Sequence, residues 1–315
     1  MSKIEKSGSK DRSEECGACC AQGFSQSSIL TPRSHERGFT LVEMIMVIVI
    51  TGIIGGMVAV FLKRPIQQYL DVSRRAELTD IADTALRRIS RDVRTAVPNS
   101  LRVAGCGATP CVEFLPTKDG GRYRVNAPIN ALTFGSGGSN IFDIIGSPIT
   151  FAANDYIVVG SSQSDGNPPY DQSASGVLRL YTGTAGAPQT TVKFNATPLP
   201  PSADMSKNLT PSQNFDVVDG TQQAVTYACT GTLGTLDASQ SGQAKLVRYS
   251  AYGINSSQSL PVAASPPVLA SKVSACTIDY SLNNQGLSLL AVTLTLTSGG
   301  ESVTLYNEIH VNNAP

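Results

Sequence analysis

An uncharged apolar run, Met44–Leu62, constrains this chain more than any other feature. Its 19 residues would form about 28 Å of helix at ~1.5 Å per residue, close to the thickness of the hydrocarbon core of a bilayer. Lys63, Arg64 and Pro65 end the run abruptly. It is longer than the apolar part of a cleaved signal peptide, and no small-residue cleavage site follows it. The sequence therefore predicts one transmembrane helix.

Glu43 places a carboxylate just inside the start of this apolar segment. A carboxylate in hydrocarbon costs several kcal/mol unless it is paired or protonated, so a simple membrane anchor gains nothing from it. Basic residues do not decide the orientation of the helix, because Arg33 and Arg37 precede it while Lys63 and Arg64 follow it. Both the glutamate and the orientation need another explanation.

The stretch RGFTLVE, residues 37–43, resembles the class III signal of type IV prepilins and type II secretion pseudopilins. In that family a membrane-embedded prepilin peptidase cuts after the glycine on the cytoplasmic face and methylates the new N-terminus. The resemblance implies cleavage between Gly38 and Phe39, N-methylation of Phe39, and a role for Glu43 in filament assembly. It also implies a bacterial inner-membrane protein with one span, a cytoplasmic leader and a periplasmic head, which then enters a pilus or pseudopilus. The implied partners are the prepilin peptidase/methyltransferase, other pilin subunits, the inner-membrane assembly platform and the lipid bilayer.

Cleavage at this position would give Glu43 a partner. It would create a positive α-amine on Phe39, and within one helix the two groups interact only loosely. Between staggered subunits of a filament, Glu43 of one chain can meet the amine of its neighbour. Because a misaligned neighbour leaves the carboxylate uncompensated, the pair would make assembly register-specific.

The segment after the membrane run reads as an amphipathic helix, 66–97, that Pro98 and Asn99 stop. Its apolar stripe recurs at spacings of three and four, at Leu78, Ile81, Ala85, Ile89, Val93 and Val97. The opposite face mixes acidic residues with arginines, as in Asp83 and Arg87. Nucleic-acid binding by these arginines is one interpretation, but the mixed charge favours a solvated or subunit-contacting face. The chain carries 24 basic and 24 acidic residues, so no basic excess points to nucleic acid.

The seven cysteines divide around the apolar run. Those after it are Cys106, Cys111, Cys229 and Cys276. In an oxidising compartment these four can pair completely, in any of three connectivities. We favour Cys106–Cys111, which closes a short loop, and Cys229–Cys276, which would join two strands. Four reduced cysteines are the alternative.

Beyond residue 101 short apolar stretches alternate with turn residues, which predicts strands. These stretches are 111–115, 156–160, 177–181, 224–229, 245–252, 287–298 and 301–311. The polar segments 162–176 and 198–214 read as long loops. The element order predicts an α+β fold of the type IV pilin kind, in which one antiparallel sheet with loop insertions is covered on one face by the helix. The expected divisions are a leader 1–38, a transmembrane helix 39–62, an amphipathic helix 63–98 and a β-rich head 99–315.

No catalytic constellation is visible in the sequence. The two histidines are far apart, and there is no nucleophile elbow, P-loop lysine or pair of histidine ligands. We therefore expect no enzyme activity and no cofactor.

Two metal-site interpretations are weak. The cysteines at 16, 19 and 20 lack a second pair of zinc ligands. Asp165, Asn167 and Asp171 share one loop, but their spacing fits no EF-hand, so a plain polar loop is favoured over a calcium site. We expect no bound metal.

Segments outside the signal carry a narrower resemblance. Residues 74–103, 113–124 and 303–315 resemble the O-type minor pilin of mannose-sensitive haemagglutinin (MSHA) pilus systems. The run TALRRISRDVR, 84–94, is also similar to J-type minor pseudopilins of type II secretion. Chain length favours the O type, and Glu43 argues against the K-type tip subunits, which typically lack this glutamate. A membrane-anchored periplasmic binding domain is the third interpretation.

Overall fold

The computed structural model describes one long helix and fourteen strands in two units, residues 1–61 and 62–315. The residues it describes are 38–126, 129–161, 169–195, 198–204, 213–263, 265–282 and 287–312. Within them, α1 (Leu41–Arg94) is the one helix that is long and apolar enough to cross a membrane. The transmembrane and amphipathic segments of the sequence analysis therefore belong to a single helix that includes Pro65.

The second half of α1 buries the stripe that its periodicity predicts. Leu78, Ala85, Ile89 and Val93 are all buried. The helix ends at Arg94, three residues before the predicted end at Val97. The reason lies in the backbone: the N–H of Val97 donates to the carbonyl of Leu115 at 2.8 Å, and the N–H of Thr117 donates to Thr95 at 2.7 Å. Bonds to the segment 115–117 thus replace the last helical turn.

Sheet one carries α1 on one face. Its six antiparallel strands run in the order β1, β10, β11, β12, β13, β14. They are β1 (Cys111–Phe114), β10 (Val225–Thr230), β11 (Ala244–Tyr249), β12 (Val268–Leu282), β13 (Leu287–Ser298) and β14 (Glu301–Asn312). The helix stripe packs against side chains such as Phe114, Tyr227 and Leu294, which together form the first core.

Sheet two is built from the middle of the chain, in the order β6, β5, β9, β2, β3, β8. Its strands are β2 (Thr117–Tyr123), β3 (Ile141–Ile145), β5 (Tyr156–Val159), β6 (Leu178–Leu180), β8 (Thr191–Lys193) and β9 (Asn214–Val218), and a separate pair joins β4 (Ile149–Thr150) to β7 (Pro188–Gln189). The edge strands also meet, because Thr182 donates to Lys193 at 2.8 Å and Asn195 donates to Leu180 at 3.0 Å. The sheet therefore closes on itself around a second core.

Each of the seven predicted strand segments contains a strand, but the prediction of a single sheet was wrong. The segments 156–160 and 177–181 lie in sheet two. The structure adds seven strands among the residues that it describes, one of them β12 in sheet one. The α+β architecture of a long N-terminal helix on antiparallel sheets is confirmed.

Candidate functional site

The start of α1 is set by Thr40. The backbone N–H of Glu43 donates to Thr40 Oγ1 at 3.2 Å, and the N–H of Met44 donates to the Thr40 carbonyl at 3.1 Å. A threonine followed three residues later by a glutamate is a capping-box sequence. Glu43 consequently lies in the first turn, where the helix dipole favours a negative charge.

Apolar side chains cover the first half of α1 on every side, and no other residue that the structure describes buries them. Every described side chain from Phe39 to Lys63 is exposed, with Phe39 at 80% and Phe61 at 78%. A continuous apolar surface of this length is far larger than soluble monomers expose. Lipid or neighbouring chains must therefore cover it.

Glu43 lies on this apolar surface. Its carboxylate has no ion pair or hydrogen bond to any residue that the structure describes. Gly38, the predicted cleavage residue, precedes the helix, and a Cβ placed on it would meet nothing within 4 Å. Gly38 is thus exposed, and Glu43 has no internal partner among the described residues. The leader residues 1–37, with Cys16, Cys19 and Cys20, lie outside the described residues.

The head is attached to α1 through a buried polar contact as well as the core. Asp92 accepts hydrogen bonds from the Tyr227 hydroxyl at 2.6 Å and from Arg248 Nε at 3.2 Å. Arg248 is also held by Gln222 at 2.6 Å. Asp92 therefore faces sheet one rather than the mixed surface of the helix, while Asp83 and Arg87 form the expected exposed pair at 2.6 Å.

Two disulfides lie in the head. Cys106 is bonded to Cys111, and Cys229 is bonded to Cys276, which are the two pairs that the sequence favoured. The second bond links β10 to β12, two strands that do not pair with each other because β11 lies between them. It sits in the first core, under α1.

A largely buried ion pair holds the segment between α1 and β1 against β1. Glu113 on β1 is paired with Arg102 at 2.5 Å, and Arg102 also stacks over the ring of Tyr170 at 3.6 Å from the centroid. The Tyr170 hydroxyl donates to the carbonyl of Ser100 at 2.7 Å. Burial raises the pKa of Glu113, and Arg102 opposes that rise. Sequence reasoning missed this cluster because no local spacing brings its members together.

A groove of about 360 Å³ runs along the outside of sheet two. It is lined by Pro98, Gly120, Gly121, Arg122, Asn214, Phe215 and Asp216. Gly120 stands opposite Asp216 in the register of β2 and β9. A Cβ at Gly121 would lie 3.0 Å from the Phe215 ring, so a larger residue there would have to displace that ring. Burial raises the pKa of Asp216 to about 6, from an ordinary value of 3.8.

Replacing Asp216 by asparagine is expected to remove a pH-dependent loss of stability. Because the folded state holds this proton more tightly than the unfolded state, the contribution of Asp216 is full below its ordinary pKa and is lost as the pH rises to about 6. The wild-type chain should therefore lose about 2 kcal/mol more than Asp216→Asn between pH 4 and pH 7. Urea unfolding of the two chains in detergent at both pH values measures this. Asp279→Asn, at an exposed position, is the control, and equal pH profiles for Asp216→Asn and wild type would contradict the assignment.

The metal-site interpretations receive no support within the described residues. There, no group of three or more His, Cys, Asp or Glu side chains could hold a metal ion. Asp171 is engaged in a turn, accepting from the Ser173 N–H at 2.8 Å and the Ser173 hydroxyl at 2.9 Å. Asp165 and Asn167 lie outside the described residues.

A comparison with known proteins finds a match to the N-terminal segment alone. The family model of the prokaryotic N-terminal methylation motif matches residues 33–59. No curated protein and no solved structure matches the chain. The matched residues include Gly38, Phe39 and Glu43 and the first part of α1. The match supports a type IV prepilin-like signal on a pilin-like or pseudopilin chain.

Proposed function

We propose that this chain is a minor pilin of the MSHA type, a low-abundance subunit that enters or initiates a type IV pilus-like filament. The observation that carries the proposal is the methylation motif running directly into a helix whose apolar surface the described chain leaves uncovered. A membrane anchor alone would need that surface. It would not need a carboxylate on it.

Processing and orientation follow from the motif. Prepilin peptidase would cut between Gly38 and Phe39 at the cytoplasmic face of the inner membrane and methylate Phe39. The head would then lie in the periplasm, where disulfides can form between Cys106 and Cys111 and between Cys229 and Cys276. The assembly platform would extract the subunit from the bilayer, and the α1 helices of other pilins would cover its apolar surface.

The MSHA assignment rests on three segments that resemble the O-type minor pilin. In this fold, 74–103 covers the end of α1 and the connection to β1, 113–124 covers β1 and β2, and 303–315 includes most of β14. The first and last of these contribute to the first core through residues such as Ile89 and Ile309. The resemblance thus covers parts of the helix and of sheet one, together with the strand β2 of sheet two.

A J-type pseudopilin of a type II secretion system is the second candidate, which the run 84–94 favours. Deletion of the gene in the native host separates the two. Loss of surface pili with normal enzyme export supports the pilin, whereas loss of exported enzymes with intact pili supports the pseudopilin.

The first test of the proposal is mass spectrometry of the N-terminal peptide from native membranes. A peptide that begins at N-methylated Phe39 is expected. An intact leader in a host with active prepilin peptidase would overturn the processing step and leave a membrane-anchored domain.

Replacing Gly38 by valine is expected to reduce cleavage at least tenfold, and the full-length chain should accumulate in the membrane. Since nothing lies within 4 Å of a Cβ at Gly38, the fold should not change, and the loss would report recognition by the peptidase. Gly52→Ala, at another glycine with open space around it, is the matched control. Immunoblots resolve the two forms by size. Normal cleavage of the Gly38→Val chain would contradict the assigned site.

A further inference from the structure

On α1, acidic residues are followed by arginines at a constant distance along the helix. Three acidic side chains are each followed by an arginine eleven positions later: Glu77 by Arg88, Asp80 by Arg91, and Asp83 by Arg94. Eleven residues make three turns of helix with a rotation of only about 20° and an axial distance of about 16 Å. The acidic set and the basic set therefore lie on one stripe, about 16 Å apart along the axis.

The stripe lies opposite the core. The side chains of Glu77, Asp80, Arg88, Arg91 and Arg94 are exposed, and Asp83 is half-buried. The buried face of the same helix carries Leu78, Ala82, Ala85, Ile89 and Val93. The head thus leaves the stripe open.

Within the part of the chain that the structure describes, one weak contact is the single ion pair of the stripe. No ion pair engages Glu77, Asp80, Arg88, Arg91 or Arg94 among the residues that the structure describes. Asp83 contacts Arg87 at 2.6 Å, in a pair whose side chains are 46% and 74% exposed. Exposed pairs of this kind contribute little and exchange partners readily.

Charged residues elsewhere on α1 do find partners in the chain. Arg75 contacts Glu301 on β14 at 2.5 Å, and Asp92 contacts Arg248 at 3.2 Å. Within one chain, an acid of the stripe and the arginine eleven positions later are about 16 Å apart along the axis. Those two groups can therefore meet only across two molecules.

We infer that the stripe binds a second copy of this chain, parallel to the first and displaced by three helical turns along the axis. This inference rests on the proposed function, because the membrane segment that begins each α1 makes neighbouring helices parallel. In that arrangement the acidic set of one copy faces the basic set of the other, with Asp80 and Arg91 at the centre of the contact. In an unshifted arrangement acids face acids and arginines face arginines, so like charges oppose that register.

Cysteine cross-linking measures the register directly. Ser73 and Thr84 are exposed and are also eleven residues apart on the stripe. Chains carrying Ser73→Cys or Thr84→Cys, with different tags and with the leader cysteines replaced by serine, are co-expressed in native-host membranes and oxidised. We expect the mixed pair to cross-link at least fivefold more than Ser73→Cys with itself or Thr84→Cys with itself. Equal yields, a same-position preference, or no cross-link above background would overturn the inference, the last outcome indicating that the stripe faces solvent or a different subunit.

Charge reversal supplies the matched control. Arg88→Glu with Arg91→Glu in the Thr84→Cys chain should reduce the mixed cross-link at least fivefold. Glu77→Arg with Asp80→Arg in the Ser73→Cys chain should restore it. Arg122→Glu with Lys245→Glu, the same change of net charge at exposed positions elsewhere on the head, should leave the yield unchanged. If the compensating change does not restore the mixed cross-link, the inference is also overturned.

The N-terminal peptide is analysed from the same membranes. A processed N-terminus without the offset cross-link would sink the inference and leave the proposed function standing. An unprocessed N-terminus would instead contradict the proposed function, whichever cross-links form.

Discussion

Replacing Glu43 by alanine is expected to leave cleavage after Gly38 intact and to reduce incorporation into filaments at least tenfold. The carboxylate has no internal partner among the described residues and lies on a surface that lipid or other subunits must cover. If it pairs with the α-amine of Phe39 on a neighbouring subunit, its removal leaves that amine uncompensated in an apolar setting. Breaking such a buried pair costs ~3–5 kcal/mol, far more than the ~1.4 kcal/mol that corresponds to tenfold.

Two companion variants make this result specific. Glu43→Gln keeps the size and most of the hydrogen-bonding capacity but not the charge, so it should fail to assemble as Glu43→Ala does. Met44→Ala, at the adjacent exposed position, removes apolar surface without touching a charge and should assemble. Processing is followed by N-terminal mass spectrometry, and incorporation by immunoblot of sheared filaments. Normal incorporation of Glu43→Ala would refute the assembly role.

The helix was predictable because its signals are local. The uncharged run determines its first half, and the spacing of Leu78, Ala85 and Ile89 determines the buried face of its second half. Its end was not predictable to the residue. Val97 continues the apolar spacing, yet its N–H donates to the carbonyl of Leu115, just after β1. A hydrogen bond to a residue distant in sequence cannot be predicted from the residues around Val97.

Four of the six strands of sheet two, β2, β3, β8 and β9, escaped prediction because they are short or polar. The strand β2 contains Asp119, Gly120 and Gly121, which local propensity assigns to a turn. Strands β3 and β9 alternate over only five residues each, through Phe142 and Phe215. An alternation of only five residues also occurs in ordinary loops, so it does not predict a strand. These short strands are stabilised by the closure of the sheet.

The strand β12 was missed for a different reason. Irregular pairing interrupts its alternation, so the buried positions run Ala270, Val273, Cys276 and Ile278 rather than at every second residue. The register shifts near Val273, and Lys272 adopts a φ of 60°. A bulge moves the following side chains to the other face of the strand, which hides the period of two.

The methylation motif was recognisable from sequence, while the polar contacts of the head were not. Gly38, Phe39 and Glu43 lie within six consecutive residues, so their spacing is itself the signal. Arg102 reaches Glu113 and the ring of Tyr170, which a fold must bring together. A local motif can therefore be recognised from sequence, whereas contacts between distant residues require the structure.

Removing the Cys229–Cys276 disulfide as a double alanine variant is expected to destabilise the head by about 4 kcal/mol, the loop-entropy value for a closed loop of this length. The two cysteines are 47 residues apart in sequence, and both lie in the core beneath α1. Cys106 and Cys111 are only 5 residues apart, so the same relation gives about 2 kcal/mol for their double alanine variant. The long-loop bond also joins two strands across β11, which the short-loop bond does not.

The two double variants are compared by urea unfolding of the full chain in detergent, followed by the circular dichroism of its tyrosines. The Cys229→Ala/Cys276→Ala chain should have the lower midpoint, with a larger loss than the Cys106→Ala/Cys111→Ala chain. The comparison separates entropy from packing: the Cys106–Cys111 pair is also buried, against Ala228 and Val247, so burial alone would make the losses similar. Equal losses would show that packing dominates, and a larger loss from the short loop would contradict the entropic account.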